Sequence, residues 1–345
     1  MHRLLTITLL TALLAACKGA GFYRQAIDGH LDLLARARPI AEIVADPATD
    51  TALKQRLTVM EHSRVFASRE LKLPDNGSYT RYAELDRPYA LWNVFAAPKL
   101  SLTLKQWCFP VAGCVSYRGY FSHDAALEAA DALRAEGYDV YVGGVAAYST
   151  LGWSEDPLTS PMLARSDAEA VALMFHELAH QRLYVRDDTA FNESFAVAVE
   201  HEGMRRWLKT VDEGERYARF REKQARRDEV IATALDYRTQ LAQLYASSAT
   251  ETEKLAEKER ILEALRREAA ARRERGQDGG LGAWLEKDLN NAKLASLGLY
   301  HRHVPAFERL LAEHDGDLEA FYRAAEELAH RPATERAALL AAPSE

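Results

Sequence analysis

The chain has 345 residues, 48% of them hydrophobic and 28% charged, enough apolar material for one large unit or two smaller ones. A formal net charge of −7 supplies no basic field for phosphates, which argues against a nucleic-acid partner. After residue 17 no run approaches the roughly eighteen apolar residues of a membrane span.

The first element is a leader. Met1-His2-Arg3 is a short basic start, Leu4 to Leu14 is apolar, and Leu14-Ala15-Ala16-Cys17 closes the run with small residues. The ending resembles a bacterial lipobox, which implies a signal peptide over 1–16, acylation of Cys17, and a chain held to the membrane through that lipid. Lys18 after the cysteine resembles the signal for outer-membrane sorting. The expected location is therefore the bacterial cell envelope, lipid-anchored and facing the periplasm.

Residues 22 to about 72 read as helical: Ile27, Leu31 and Leu34 fall at helical spacing, Pro39 breaks the run, and a second stretch covers about 49–69. Pro74-Asp75-Asn76-Gly77 marks a turn. Two β-prone runs, Ala90 to Ala96 and Val140 to Tyr148, flank a helix near 123–136 that stops at Gly137. Between them, Cys108 and Cys114 form an even pair that suits a disulfide in an oxidising compartment.

Ser166-Asp167-Ala168-Glu169 reads as a capping box opening a helix with Val171, Met174, Phe175 and Leu178 on one face. A break at 186–189 precedes a second helix through Phe195, Val199 and Trp207. Residues 213–275 are charge-rich with a coiled-coil-like repeat broken at Ser247-Ser248-Ala249-Thr250, which predicts a helical hairpin projecting from the body, either as a solvated face or as a lid or docking arm for a protein partner. Gly276 to Gly282 is a joint before a helical region at about 284–340.

The chemistry lies in His176-Glu177-Leu178-Ala179-His180. Histidines four apart share one helix face, about 6 Å along the axis, which suits two imidazoles meeting one zinc ion per chain. Glu177 is then placed to take a proton from a water that zinc acidifies. The third ligand comes from the following helix, from Glu193 or Glu200. Glu200 has the separation from His180 seen in thermolysin, whereas Asn192-Glu193 resembles the context of the thermolysin ligand. A short loop between the helices brings the first turn of the second beside the His pair, which favours Glu193 and leaves Glu200 behind the site or on a substrate amine.

FHELAHQRLYVRDDTAFNESFAVAVEHEG (175–203), WCFPVAGCVSYRGYF (107–121), AYSTLGW with Asp156-Pro157 after it, and LNNAKLASLGLY (289–300) resemble a family of bacterial lipoproteins described as predicted aminopeptidases. The resemblance spans nearly all of the chain beyond the leader. It implies a gluzincin-like zinc metallopeptidase, with His176, His180 and Glu193 at the metal and Glu177 as base.

A peptide substrate held as an added strand needs a sheet edge, and Gly143-Gly144 through Tyr148 is the candidate, with Gly144 and Tyr148 as contacts. Tyr300 is the first candidate for oxyanion stabilisation, with His301, His303 and Tyr148 behind it; Glu155, Asp156 and Glu200 are candidates to read a free amine. The expected architecture is α+β and helix-rich. It has a zincin-like core with a small sheet over 17–212, a hairpin over 213–275, and a helical region over 276–345 completing the catalytic unit. The expected function is an aminopeptidase on short peptides; alternatives are an endoprotease acting on an envelope protein and a non-catalytic scaffold lipoprotein.

Overall fold

The computed structural model describes residues 21–109, 113–211 and 215–341. The expected signal segment and acylated Cys17 lie outside the described residues, as does the tip of the cysteine loop, 110–112.

Helix α1 (21–36) runs into strand β1 (Ala37–Pro39), since Pro39 cannot donate to a continuing helix. Helices α2 (Ile40–Ala45) and α3 (Thr51–Arg69) follow, the latter capped by Asp50, whose carboxylate accepts from the Ala52 and Leu53 amides. Next come β2 (Arg81–Ala83), β3 (Leu91–Pro98), β4 (Trp107–Phe109), β5 (Gly113–Val115), β6 (Arg118–Tyr120), α4 (His123–Ala135), β7 (Tyr138–Val145) and β8 (Leu158–Thr159). They form three small sheets, ordered β1-β2-β8, β6-β3-β7 and β4-β5. With 63% helix the fold is α+β and helix-rich, so the sheets act as platforms for helices.

The β6-β3-β7 sheet is antiparallel and two-faced. Trp92, Val94 and Ala96 alternate onto one face and pack against Ala126, Ala130 and Leu133 of α4. The other face carries Phe95 and Ala97. On β4 and β5, Cys108 and Cys114 stand opposite each other and are joined by a disulfide.

After α5 (Ser160–Leu163), helices α6 (Asp167–Arg182) and α7 (Thr189–Val211) cross the centre of the molecule. Both halves of the capping box are made: Ser166 accepts from the Glu169 amide, and Glu169 accepts from the Ser166 amide. Beyond that turn α6 is buried almost all round, from Ala170 to His180, rather than being amphipathic as its sequence pattern suggests. Phe175, Leu178, Phe191 and Phe195 build the main core with residues of α3 and of the last three helices, α12 (Val304–Glu313), α13 (Leu318–Ala329) and α14 (Ala333–Ala341).

Helices α8 (Glu215–Ala246) and α9 (Glu251–Glu274) form the hairpin, with Thr250 and Glu253 making a second capping box at the return. The hairpin does not project. Val230, Leu241, Leu262 and Leu265 share a core with α10 (Gly282–Glu286) and α11 (Asn291–His301). Lys258, 4% exposed, donates to Asp139 of β7 at 2.5 Å and to the Lys99 carbonyl at 3.1 Å. Asn291 binds the same corner, donating its side-chain amide to the Lys99 and Ser101 carbonyls while accepting from the Tyr245 hydroxyl. Buried polar groups thus lock the charge-rich arm onto the sheet.

Candidate active site

The short α6–α7 loop decides how the two central helices face each other. Asn192, 2% exposed, accepts from the Val185 amide at 2.7 Å and donates to the Val185 carbonyl at 2.8 Å. Asp188 caps α7 through the Phe191 amide and is held by Arg336 at 2.7 Å. Asp187 accepts from the Cys114 amide at 2.6 Å, tying the disulfide hairpin to the loop. The first turns of α7 are therefore fixed in rotation, and Glu193 points at the His pair. Asn192 as a loop clamp was not legible from its sequence neighbours; the Asn-Glu context was the only signal.

His176 and His180 stand on consecutive turns of α6 with their Nε2 atoms 3.2 Å apart. Glu193 Oε2 lies 3.3 Å from the first and 3.6 Å from the second. Ligands at about 2.0–2.1 Å from a tetrahedral zinc are separated by roughly 3.3–3.4 Å, so these three atoms have the spacing of one tetrahedral face. All three residues are buried. Burial disfavours a charged His176, yet Glu193 and Glu200 outweigh it and raise its pKa well above the imidazole range. Burial likewise opposes ionised Glu193, but His180 and His176 hold its pKa down to about 2. A site that so favours positive charge among two imidazoles and a carboxylate fits a divalent cation of borderline softness.

Glu200 sits behind this set. Its Oε2 accepts from His176 Nδ1–H at 3.2 Å, which leaves Nε2 as the ring nitrogen that faces His180 and Glu193. The described residues thus bring Glu193, not Glu200, into the donor triad. Glu177 is 9% exposed, and burial raises its carboxyl pKa, partly offset by His176 and His180.

A cleft of about 1220 Å³ opens over these groups. Tyr300 lines it, its ring stacked on His176 with centroids 6.3 Å apart, and burial followed by Glu193 raises its pKa so that the phenol stays protonated. Tyr117 lines the same wall and is desolvated beside Glu193; it lies inside the cysteine motif but was not singled out in the sequence. Gly143, Gly144 and Tyr148 also line the cleft, and among the described residues β7 pairs with β3 alone, so its outer edge has no strand partner. The space beside Gly144 is taken by the Tyr89 ring, only 2.3 Å from where a Cβ would sit. His301 lines the cleft and His303 does not. Glu155 and Asp156 are not in the cleft lining either. Asp156 is fully buried, accepting from the Thr150 amide and hydroxyl, and it organises the 149–156 loop instead of reading an amine.

The family model described as "Putative aminopeptidase" matches residues 21–340. No curated protein and no solved structure matches significantly.

Proposed function

We propose, from the premise that the chain belongs to the family described as "Putative aminopeptidase", that it is a zinc-dependent aminopeptidase acting on short peptides. The observation that carries the metal reading is the convergence of His176, His180 and Glu193 on one point in the cleft wall, with Glu177 beside them. A bound zinc ion supplies Lewis acidity toward the scissile carbonyl and brings the pKa of water to about 7.

The remaining work falls to the chain's own side chains. Glu177 takes the proton of the attacking water on a carboxylate oxygen and returns it to the departing amine nitrogen. Glu200 keeps the His176 ring in one orientation and one tautomer. Tyr300, held protonated, donates toward the oxygen on which negative charge develops. The free edge of β7 at Gly143 and Gly144 aligns the peptide backbone. We also assign the chain to the cell envelope, through a lipid on Cys17.

The test is hydrolysis of a panel of short peptides, each with a free and an acetylated N-terminus. Release of the first residue from free peptides only, abolished by a zinc chelator and restored by added zinc, is the expected result. Equal cutting of acetylated peptides would replace the aminopeptidase by an endoprotease. Absence of hydrolysis by metal-loaded chain overturns both.

A further inference from the structure

The α8 side of the cleft holds a second set of groups that the proposed reaction does not use. Arg219, Lys223 and Arg227 recur every four residues, so they share one face of α8, and all three line the cleft. Two have partners: Arg219 pairs with Glu215 at 3.1 Å, and Lys223 with Glu169 at 2.9 Å. Arg227 is half-buried and, among the described residues, makes no hydrogen bond or ion pair. Its position on the helix is tightly packed, because a Cβ on Gly279 would fall 2.4 Å from the Arg227 backbone nitrogen.

His301, at the end of α11, lines the same cleft, and its ring has no hydrogen bond among the described residues. Burial and the nearby charge of Arg227 push its pKa down to about 3, so the ring is a neutral N–H donor at neutral pH. The charge of Arg227 also acts on Glu200, which is bonded to His176. The pair therefore stands close to the metal centre. A half-buried guanidinium with no direct carboxylate partner is unfavourable, and of the three cations on this face of α8 Arg227 alone is left so among the described residues, Glu200 feeling its charge without bonding to it.

We propose that Arg227 and His301 form a carboxylate-binding subsite beside the metal centre, filled by the free C-terminal carboxylate of a di- or tripeptide. The inference rests on the peptidase reading and names its substrate class. An extended residue spans about 3.3–3.6 Å, so a carboxylate bound next to the metal centre belongs to a peptide ending one or two residues beyond the cut. A planar guanidinium suits a carboxylate through two parallel hydrogen bonds, which an amidated terminus cannot accept in the same charged form.

The experiment is calorimetric binding to the zinc-loaded Glu177→Gln chain of three probes: alanyl-alanine, its C-terminal amide, and alanyl-glutamate amide. The free acid is expected to bind about 30-fold or more tighter than its amide. Arg227→Gln in the same background abolishes that preference, and Arg227→Lys keeps part of it, with zinc content and circular dichroism unchanged. If alanyl-glutamate amide binds as well as the free acid, the carboxylate comes from a side chain and the terminal source is overturned. Equal binding of acid and amide, or equal weakening of both by Arg227→Gln, overturns the subsite. Retained carboxylate preference in a zinc-loaded native chain that cleaves no peptide would instead sink the peptidase reading and leave the subsite standing.

Discussion

Glu177→Gln is expected to lower kcat by about three orders of magnitude while leaving the zinc in place, because a positioned general base contributes roughly 10²- to 10⁴-fold. Glutamine has the same shape and a similar helix propensity, so α6 and its two histidines are not disturbed. What it lacks is the site for a proton. Glu177 is buried beside the donor triad, and in the proposed reaction its carboxylate is the group that takes the water proton. An amide at that point still donates and accepts hydrogen bonds, and KM should change far less than kcat. Single-turnover kinetics with zinc measured on the same sample checks this. A kcat within tenfold of the native value would assign the base elsewhere.

The largest effect on stability is expected at Lys258. Lys258→Met should destabilise the chain by about 3 kcal/mol, because removing one member of a buried pair leaves the other charge uncompensated. The partner is Asp139, whose side chain is only 15% exposed and, among the described residues, keeps just the Asn291 backbone N–H as a donor once the lysine is gone. The double variant Lys258→Met with Asp139→Leu should recover most of that loss, since neither charge then remains buried. Urea unfolding of the four members of the cycle measures it. Additive losses in the double variant would mean that the pair does not hold the hairpin to the sheet.

That contact also shows where sequence reading stops. Lys258 and Asp139 are 119 positions apart, and nothing in a run of alternating charges marks one lysine as buried. The hairpin itself was legible, because its turn and its Thr250–Glu253 cap are local signals. Its docking depends on distant partners, so projection was expected where packing is found. Helix α6 was legible for the same local reasons: the Ser166–Glu169 box and the four-residue His spacing each lie within two turns. Loop length favours Glu193 over Glu200, and the structure brings the Glu193 carboxylate together with the two histidines. Short strands such as β2 and β8 carry too few residues for a period to register, and their pairing brings residues 82–83 to residues 158–159. Asp156 was misread because an acidic residue near a cleft motif carries no sign of whether its neighbours' hydroxyls and amides already occupy it.

Whether His176, His180 and Glu193 hold a catalytic zinc is decided by elemental analysis of three chains: native, Glu193→Ala and Glu200→Ala. One zinc per native chain, lost from Glu193→Ala and retained by Glu200→Ala with affinity weakened about 10- to 100-fold, is the predicted result. A native chain that takes up no metal when zinc is supplied, or one that keeps its zinc without Glu193, would contradict it.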